Sequence, residues 1–458
     1  MKFHSESAKK VNFTLKFNPY VIFGIFSLMM LLVASFWLPL LSYQEARRAV
    51  IIQETYLFKS LLPKFNGEPY FTKPPLHTWL SLPFYAIGSL FNQEIFALRL
   101  LSFLAIGLLL YLLYLFSQRK LSKTLLSVFV LFSSFRFLSF IYRIDLEPLF
   151  IFFVFLSIYV FIKYVEKPSL KTSLLFYALF GLAFMVRGPL HFFLIPSILA
   201  YGLITKKPNF IIILFQPLGW LLFLIIVLPF YLYGYLKFGP SIFEEFFKVD
   251  LSERLYSKKD PFYYYFLALS LNFFPYLLLL LIKVKTLRKD FTLFKDYPSN
   301  FFLFITLFSV FLLSFTGEKF DKYLLFLYPF FALFLSEILL KLYSEKFLIN
   351  LSALFYSLNF LAVLLILISH IHSLRPEIEP WKKELSPKKE YFFYKKVQPL
   401  ALFIIKHPIP VVKDLKELSN NKSGVLISPE ILNLGHPTTV LKDPYKRGEL
   451  WYIYPLVN

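Results

Sequence analysis

The sequence predicts a polytopic α-helical membrane protein with a small α/β domain at its C-terminal end. Three observations point there. Of 458 residues, 57% are hydrophobic and only 17% charged, where a soluble domain is about half apolar and a quarter charged. The apolar residues fall in runs of about 20, the length that crosses a bilayer. From residue 373 the composition shifts to Pro, Lys and Glu (LRPEIEPWKKELSPKKE), a linker signal, followed by short β-like runs.

Length alone would suggest two or three soluble domains, which this composition rules out. The net charge of +21 reads as basic cytoplasmic loops meeting anionic lipid, not as a nucleic-acid surface. With no cysteine, disulfides, thiolate metal sites and cysteine nucleophiles are excluded.

The elements follow in order. Met1 to Lys16 is basic and precedes an apolar run without a small-residue cleavage site, so it reads as the flank of a retained first span. Eleven spans are expected, near 19–40, 95–117, 123–142, 147–165, 170–187, 189–205, 209–236, 261–282, 300–316, 323–342 and 347–371. The run 77–91 is short and holds Pro83, the pattern of an interfacial or re-entrant segment. If it does not cross, the basic loops around Lys120, Lys167, Lys207, Lys285 and Lys346 all share the side of the N-terminus, as positive-inside asymmetry requires. The N-terminus is then cytoplasmic and the C-terminus outside, in what is expected to be a bacterial inner membrane.

The division is therefore 1–372 for the membrane domain and 373–458 for the soluble domain. The outer loop 41–94 carries an amphipathic stretch, EARRAVIIQETYLFKS, a turn at Asn66-Gly67, and FTKPPL. In the tail, YFFYKK, PIPVV, GVLISP, TTVLK and LWYIYP read as strands, with PLALFIIK and DLKELSNN as helical stretches between them.

Ionisable groups at span ends carry the chemistry, since charges at membrane depth are costly and default to function. Asp145 and Glu147 share an outer corner with Arg143, readable as an acidic site or as a solvated loop pair. Gln44, Glu45, Arg47 and Arg48 follow the first span, readable as a site or as a charged helix start. Lys73 precedes Pro74-Pro75. Lys319 and Tyr323 flank a turn in GEKFDKY, and Arg187 precedes Gly188-Pro189. Arg136 has no evident partner. Outer cations suit a phosphate leaving group, and outer carboxylates suit activation of a hydroxyl or amine. No P-loop, dinucleotide glycine pattern or HExxH occurs.

An ordered set of motifs resembles the ArnT-like glycosyltransferases, integral membrane enzymes of the GT-C fold related to protein O-mannosyltransferases. YQEARRA and NGEPYFTKPPL resemble the family's first outer loop, and FALRL its Ala-x-Arg-Leu stretch. RIDLEPLF resembles the second acidic corner, FMVRGPLHFFLIP a Lys-Gly-Pro turn, and DPFYYYFLALSLNFFPYLLLL the Pro-Phe-Trp-Tyr-Tyr span. GEKFDKYLLFLYP resembles a Lys-x-x-x-Tyr turn, and PLALFIIKHPIPVV the C-terminal domain. The resemblance implies sugar transfer from a polyprenyl-phosphate-linked donor to a lipid A-like or protein acceptor on the extracytoplasmic face. It implies donor-phosphate binding by Lys73, Arg187, Lys319 and Tyr323, acceptor activation among Glu45, Asp145 and Glu147, and support from Gln44, Arg47, Arg99 and Arg254. Five positions depart from the family: Gln44 stands for Asp, Arg48 for Tyr, Thr72 for Glu, Arg187 for Lys and Phe326 for Pro. Glutamine is no base, so Glu45 and Asp145 compete for that role. The loss of a carboxylate at Thr72 thins the ligand set for a divalent metal. A catalytically inactive polyprenyl-lipid-binding scaffold and a lipid flippase are the rival expectations.

Overall fold

In the computed structural model, the structure describes residues 18–240, 260–290, 294, 296–387, 389–418 and 424–456. Arg254 lies outside the described residues. The α-helices are α1 (Pro19–Trp37), α2 (Tyr43–Leu57), α3 (Leu76–Leu90), α4 (Glu94–Phe116), α5 (Leu121–Phe132), α6 (Phe135–Leu138), α7 (Glu147–Tyr164), α8 (Leu170–Arg187) and α9 (Leu194–Ile204). They continue with α10 (Pro208–Leu214), α11 (Pro217–Phe238), α12 (Tyr264–Asn272), α13 (Phe274–Ile282), α14 (Val284–Lys289), α15 (Ser299–Leu313), α16 (Tyr328–Leu342), α17 (Glu345–Glu384) and α18 (Pro399–Ile405).

Among the described residues seven helical segments are long and apolar enough to cross a membrane, or eight if α12 and α13, bent by 85° to each other, form one span. Three of the expected runs hold shorter apolar helices: Leu121–Phe132, Pro189–Ile204 and Ser299–Leu313. The expected count of eleven crossings is therefore not reached by length. The expected span 123–142 is interrupted because Ser133 and Ser134 end α5 and cap α6, with the Ser134 hydroxyl accepting from the Phe137 amide. Helix α3 has 15 residues, about 22 Å at 1.5 Å per residue, and is not among the spanning candidates.

The tail reading needs one correction. Residues 373–384 are not a linker: α17 runs 40 residues from Glu345 to Glu384, about 60 Å. Pro376 and Pro380 are exposed, so the carbonyls they free face outward. Leu374, Ile378 and Trp381 meanwhile form a buried stripe at helical spacing. Periodic burial outweighs the local cost of two prolines. The strands then appear where the β-like runs predict them, as β3 (Tyr391–Tyr394), β4 (Val411–Val412), β5 (Gly424–Ser428), β6 (Thr439–Lys442) and β7 (Leu450–Leu456). The sheet order is β4-β3-β5-β7-β6, with β3 parallel to β4 and β5, and β7 antiparallel to β5 and β6.

The outer loop is folded onto this domain. Strands β1 (Lys64–Phe65) and β2 (Glu68–Pro69) pair across the Asn66-Gly67 turn, where both residues have positive φ, 55° and 81°. That conformation is the two-residue hairpin turn that Asn-Gly favours. The Asn66 side chain donates to the Ile409 carbonyl (2.9 Å) and accepts from the Ile409 amide (2.8 Å). The Glu54 carboxylate accepts from both turn amides, and Lys406 pairs with Glu94 at 2.8 Å.

Candidate active site

Four chain segments meet at one end of the bundle: the N-terminal half of α2, the corner 143–147, the end of α8, and a 3₁₀ helix over Asp321–Leu327. Each is positioned by local chemistry. Ser42 caps α2, accepting from the Glu45 amide, the S-x-x-E signature of a helix start. Helix α8 ends on Gly188, whose φ of 93° suits glycine; its amide closes on the Phe184 carbonyl at 2.7 Å, leaving Arg187 as the last helical residue. The 3₁₀ turn is tied down by Arg136, whose guanidinium reaches the Asp321 carboxylate at 2.7 Å. That supplies the partner the sequence did not reveal.

At the corner, Glu147 pairs with Arg187, both side chains under a tenth exposed. The Arg187 guanidinium also lies over the Tyr323 ring, 5.0 Å from its centroid, and over Phe150 at 5.4 Å. Asp145 faces Arg48, Nε to Oδ1 3.8 Å, and accepts from the Leu146 amide at 2.6 Å. Burial alone would raise the Asp145 carboxyl. Arg48, Lys322, the Leu146 amide and Arg187 together outweigh it and hold the carboxyl below its ordinary value. Arg143, the expected neighbour of the acids, instead lies against the rings of Phe140 and Tyr142. Lys73 lines a narrow cleft with Arg48, Tyr70, His77 and Leu146, so the loop lysine and the acidic corner share one wall. His77 hydrogen-bonds to the Asp145 backbone; burial, aided by Arg48, pulls its pKa down to about 3, and it is neutral.

Two expected site residues are held inside the fold. Glu45 is 2% exposed. Its Oε1 takes Arg99 and the Ile144 amide, each at 3.0 Å, and its Oε2 takes the Leu41 amide at 2.6 Å. Arg99, fully buried, donates its remaining hydrogens to the carbonyls of Ser35, Leu38 and Pro39. Arg99 and Glu45 thus form a buried, internally satisfied pair, and the Glu45 carboxylate is turned into the fold rather than toward the surface. Lys319 is 5% exposed, and its ammonium donates to the carbonyls of Asp260, Thr316 and Gly317. Its three hydrogens are taken by two carbonyls of the turn and by that of Asp260, so none is left for a phosphate.

Two residues were missed. Lys322, three positions after Lys319, is electrostatically coupled to Glu147, Arg187 and Asp145; the second lysine of GEKFDKY was the signal. Arg48 was noted as part of the charged group after the first span and as a departure, with no role of its own, yet it is the partner of Asp145. Gln44 is exposed and accepts from Arg47 at 2.8 Å, and Arg47 also lies over Tyr70. Among the described residues no three His, Asp or Glu side chains group as a metal site.

Comparison with known proteins agrees with this architecture. Residues 72–233 match the family model of dolichyl-phosphate-mannose-protein mannosyltransferase. The structure superposes on the crystal structure of ArnT from Cupriavidus metallidurans bound to undecaprenyl phosphate with a TM-score of 0.75. Identity is 15%, over 89% of this chain and 92% of that one. The chain is ArnT-like in fold. The apo ArnT structure superposes similarly, with a TM-score of 0.77 at 14% identity over 94% and 97% of the two chains. The ArnT-like resemblance read from the motifs is borne out, and so is the GT-C architecture with a small C-terminal sheet domain.

Among curated relatives, an uncharacterized protein of Aquifex aeolicus is 27% identical over 296 residues, 64% of this chain and 58% of that protein. An undecaprenyl phosphate-alpha-4-amino-4-deoxy-L-arabinose arabinosyl transferase of Pseudomonas fluorescens is 38% identical over 101 residues, 22% of this chain and 17% of that enzyme. The matches thus span less than two thirds of either relative.

Proposed function

We propose that the protein transfers a sugar from a polyprenyl-phosphate-linked donor to a hydroxyl or amine of an acceptor at the outer membrane face. The observation that carries this reading is the corner itself: a partly accessible carboxylate, Asp145, among the cations Arg48, Arg187 and Lys322. In that arrangement Arg187, Lys322 and Lys73 hold the donor phosphate and stabilise the charge that grows on it as the sugar–phosphate bond breaks. Tyr323, under Arg187, fixes the guanidinium plane. Asp145, kept ionised, takes the proton from the acceptor as its oxygen or nitrogen bonds to the sugar carbon. Glu147 holds Arg187 in place. A divalent metal would find Asp145 as its accessible carboxylate there, with the family's acidic positions occupied by Gln44 and Thr72, so the residues present fit a metal poorly.

The similarity to an ArnT bound to undecaprenyl phosphate and the match to a dolichyl-phosphate-mannose enzyme family support a polyprenyl-phosphate donor. Lipid A-like and protein acceptors are the two classes such relatives suggest. The inactive lipid-binding scaffold is favoured by one observation, the glutamine at Gln44. Mass spectrometry of lipid A and envelope proteins from cells with and without the gene tests the reading. A sugar-sized mass increment that appears only with the intact gene, and disappears in Asp145→Asn, supports it; identical profiles overturn it in favour of the scaffold.

A further inference from the structure

Glu54 is a buried carboxylate that the proposed transfer does not use. It lies near the end of α2, 2% exposed, and its two oxygens accept from the amides of Asn66 (3.0 Å) and Gly67 (2.8 Å). The start of the hairpin is held to the same helix, since the Lys64 amide donates to the Thr55 hydroxyl at 3.2 Å. Its exit is closed by the Tyr70 amide, which donates to the Pro63 carbonyl at 2.8 Å. The tip meets the C-terminal domain. Asn66 exchanges two hydrogen bonds with Ile409, and a Cβ on Gly67 would come within 3.2 Å of Pro408. The hairpin is thus gripped from two sides, by α2 and by the C-terminal domain.

That grip bears on the candidate site. Lys73 and Arg48 line one narrow cleft beside the acidic corner. Arg48 is on α2, six residues before Glu54, or about 9 Å along one helix. Lys73 is on the chain leaving the hairpin. The three residues between hairpin and lysine, Tyr70, Phe71 and Thr72, are all buried, so a shift of the hairpin is carried on to Lys73. One helix therefore supplies one wall of the cleft and holds the element that supplies the other.

We propose that Glu54 and Asn66 are positioning residues for the donor phosphate. Through the hairpin they set Lys73 opposite Arg48, and the C-terminal domain takes part by holding Asn66 at Ile409. The inference rests on the reading of Lys73 as a phosphate ligand. Displacement of a binding group by about 1 Å can cost as much as about 10²-fold in rate, and the narrow cleft leaves a long side chain few ways to compensate.

The test is a titration of the full chain in detergent with undecaprenyl phosphate, beside hydrogen exchange of peptides over 61–73. Asn66→Gly keeps the turn, because glycine takes the φ of 55° without strain, and removes the side-chain bonds to Ile409. It should weaken binding about three- to ten-fold, part of the ten-fold or more that a charge-assisted contact carries. Exchange over 70–73 should rise while that over 43–50 stays at the parent's. Residues that act through one group are non-additive, so the loss should vanish beside Lys73→Gln and persist in full beside Lys322→Gln. A merely structural contact would give the same loss in both. Glu54→Gln replaces one accepting oxygen with a donor and should act in the same way, more strongly. Lys406→Gln breaks the contact with Glu94 but leaves the hairpin held, and should bind like the parent. Unchanged exchange over 70–73 in Asn66→Gly, an undiminished loss beside Lys73→Gln, or an equal loss in Lys406→Gln overturns the proposal. Equal binding by Lys73→Gln and the parent overturns instead the reading of Lys73 as a phosphate ligand, and donor positioning with it, whatever the exchange shows.

Discussion

Two acid–arginine contacts lie close together in this molecule and behave oppositely. Glu45 and Arg99 are buried, and between them they are satisfied by two backbone amides and three carbonyls. Asp145 and Arg48 stand 3.8 Å apart with side chains 20% and 13% exposed, and further cations surround them. The first contact joins the end of α1, the start of α2, α4 and the corner 143–147 into one unit. The second leaves unspent charge at the surface that unit creates. Carboxylate chemistry alone does not mark a site; unsatisfied hydrogen-bonding capacity and excess charge do.

Breaking the first contact should have the largest effect. Glu45→Gln leaves Arg99 buried with no counter-charge, and loss of one partner of a buried pair costs about 3–5 kcal/mol. The expected outcome is a large drop in thermal midpoint in detergent, or failure to purify as a monodisperse species. Asp145→Asn should leave that midpoint nearly unchanged and lower sugar transfer about 10²–10⁴-fold, the usual loss for a general base. If Glu45→Gln is stable and silent while Asp145→Asn stays active, the comparison is reversed.

The two lysines of GEKFDKY sharpen the same contrast. Lys322→Gln should weaken binding of undecaprenyl phosphate by about 1.5–3 kcal/mol, the worth of a charged hydrogen bond, without loss of stability. Lys319→Gln should leave the carbonyls of Thr316, Gly317 and Asp260 short of a donor and lower stability first. A binding titration beside a melting curve for each variant separates the two roles.

Much of the fold was legible. Periodic apolar runs located the helices, Asn66-Gly67 located the hairpin, and alternating β-like runs located all five strands of the C-terminal sheet. The failures share a cause: each depended on contacts between segments distant in sequence. Whether Glu45 is a base or a buried anchor depends on Arg99, 54 positions away. Which lysine of a pair three apart is tied into the backbone depends on the Asp260 carbonyl, 59 positions away. The Pro-rich stretch after 373 misled for the converse reason: local composition reads as linker, while the stripe Leu374, Ile378 and Trp381 is buried by the rest of the molecule. Motif order carried Asp145, Glu147, Arg187 and Tyr323 to one place because all sit at span ends, where topology alone brings them together.

The corner also predicts a dependence on pH. His77 is neutral in the fold, its pKa lowered from 6.5 to about 3 by burial and by Arg48. A depressed histidine contributes stability that is fully present above about pH 6.5 and is lost as pH falls toward the folded value. At pH 5 one such group has lost about 2 kcal/mol. Melting curves at pH 7.5 and 5 should show this loss in the parent and a smaller one in His77→Gln. Asp145 is held below its ordinary value and stays ionised over the same interval, so transfer per folded molecule should not fall with it.

The smallest expected effect tests the departure that argues most strongly against activity. Gln44 stands where the related enzymes carry an aspartate, yet its side chain is exposed, and its hydrogen bond is to Arg47 one turn along α2. Exposed polar contacts of this kind are worth less than about 1 kcal/mol, and surface substitutions usually fall within about 0.5 kcal/mol. Gln44→Ala should therefore leave both the melting midpoint and sugar transfer close to the parent's. Gln44→Asp adds a second carboxylate near Arg47 and Arg48 and should also change transfer less than about two-fold if Asp145 already serves as base. A silent parent that gains transfer in Gln44→Asp would instead place the missing function at Gln44, and Asp145 with its cations would be the lipid-binding remnant of a site that no longer turns over.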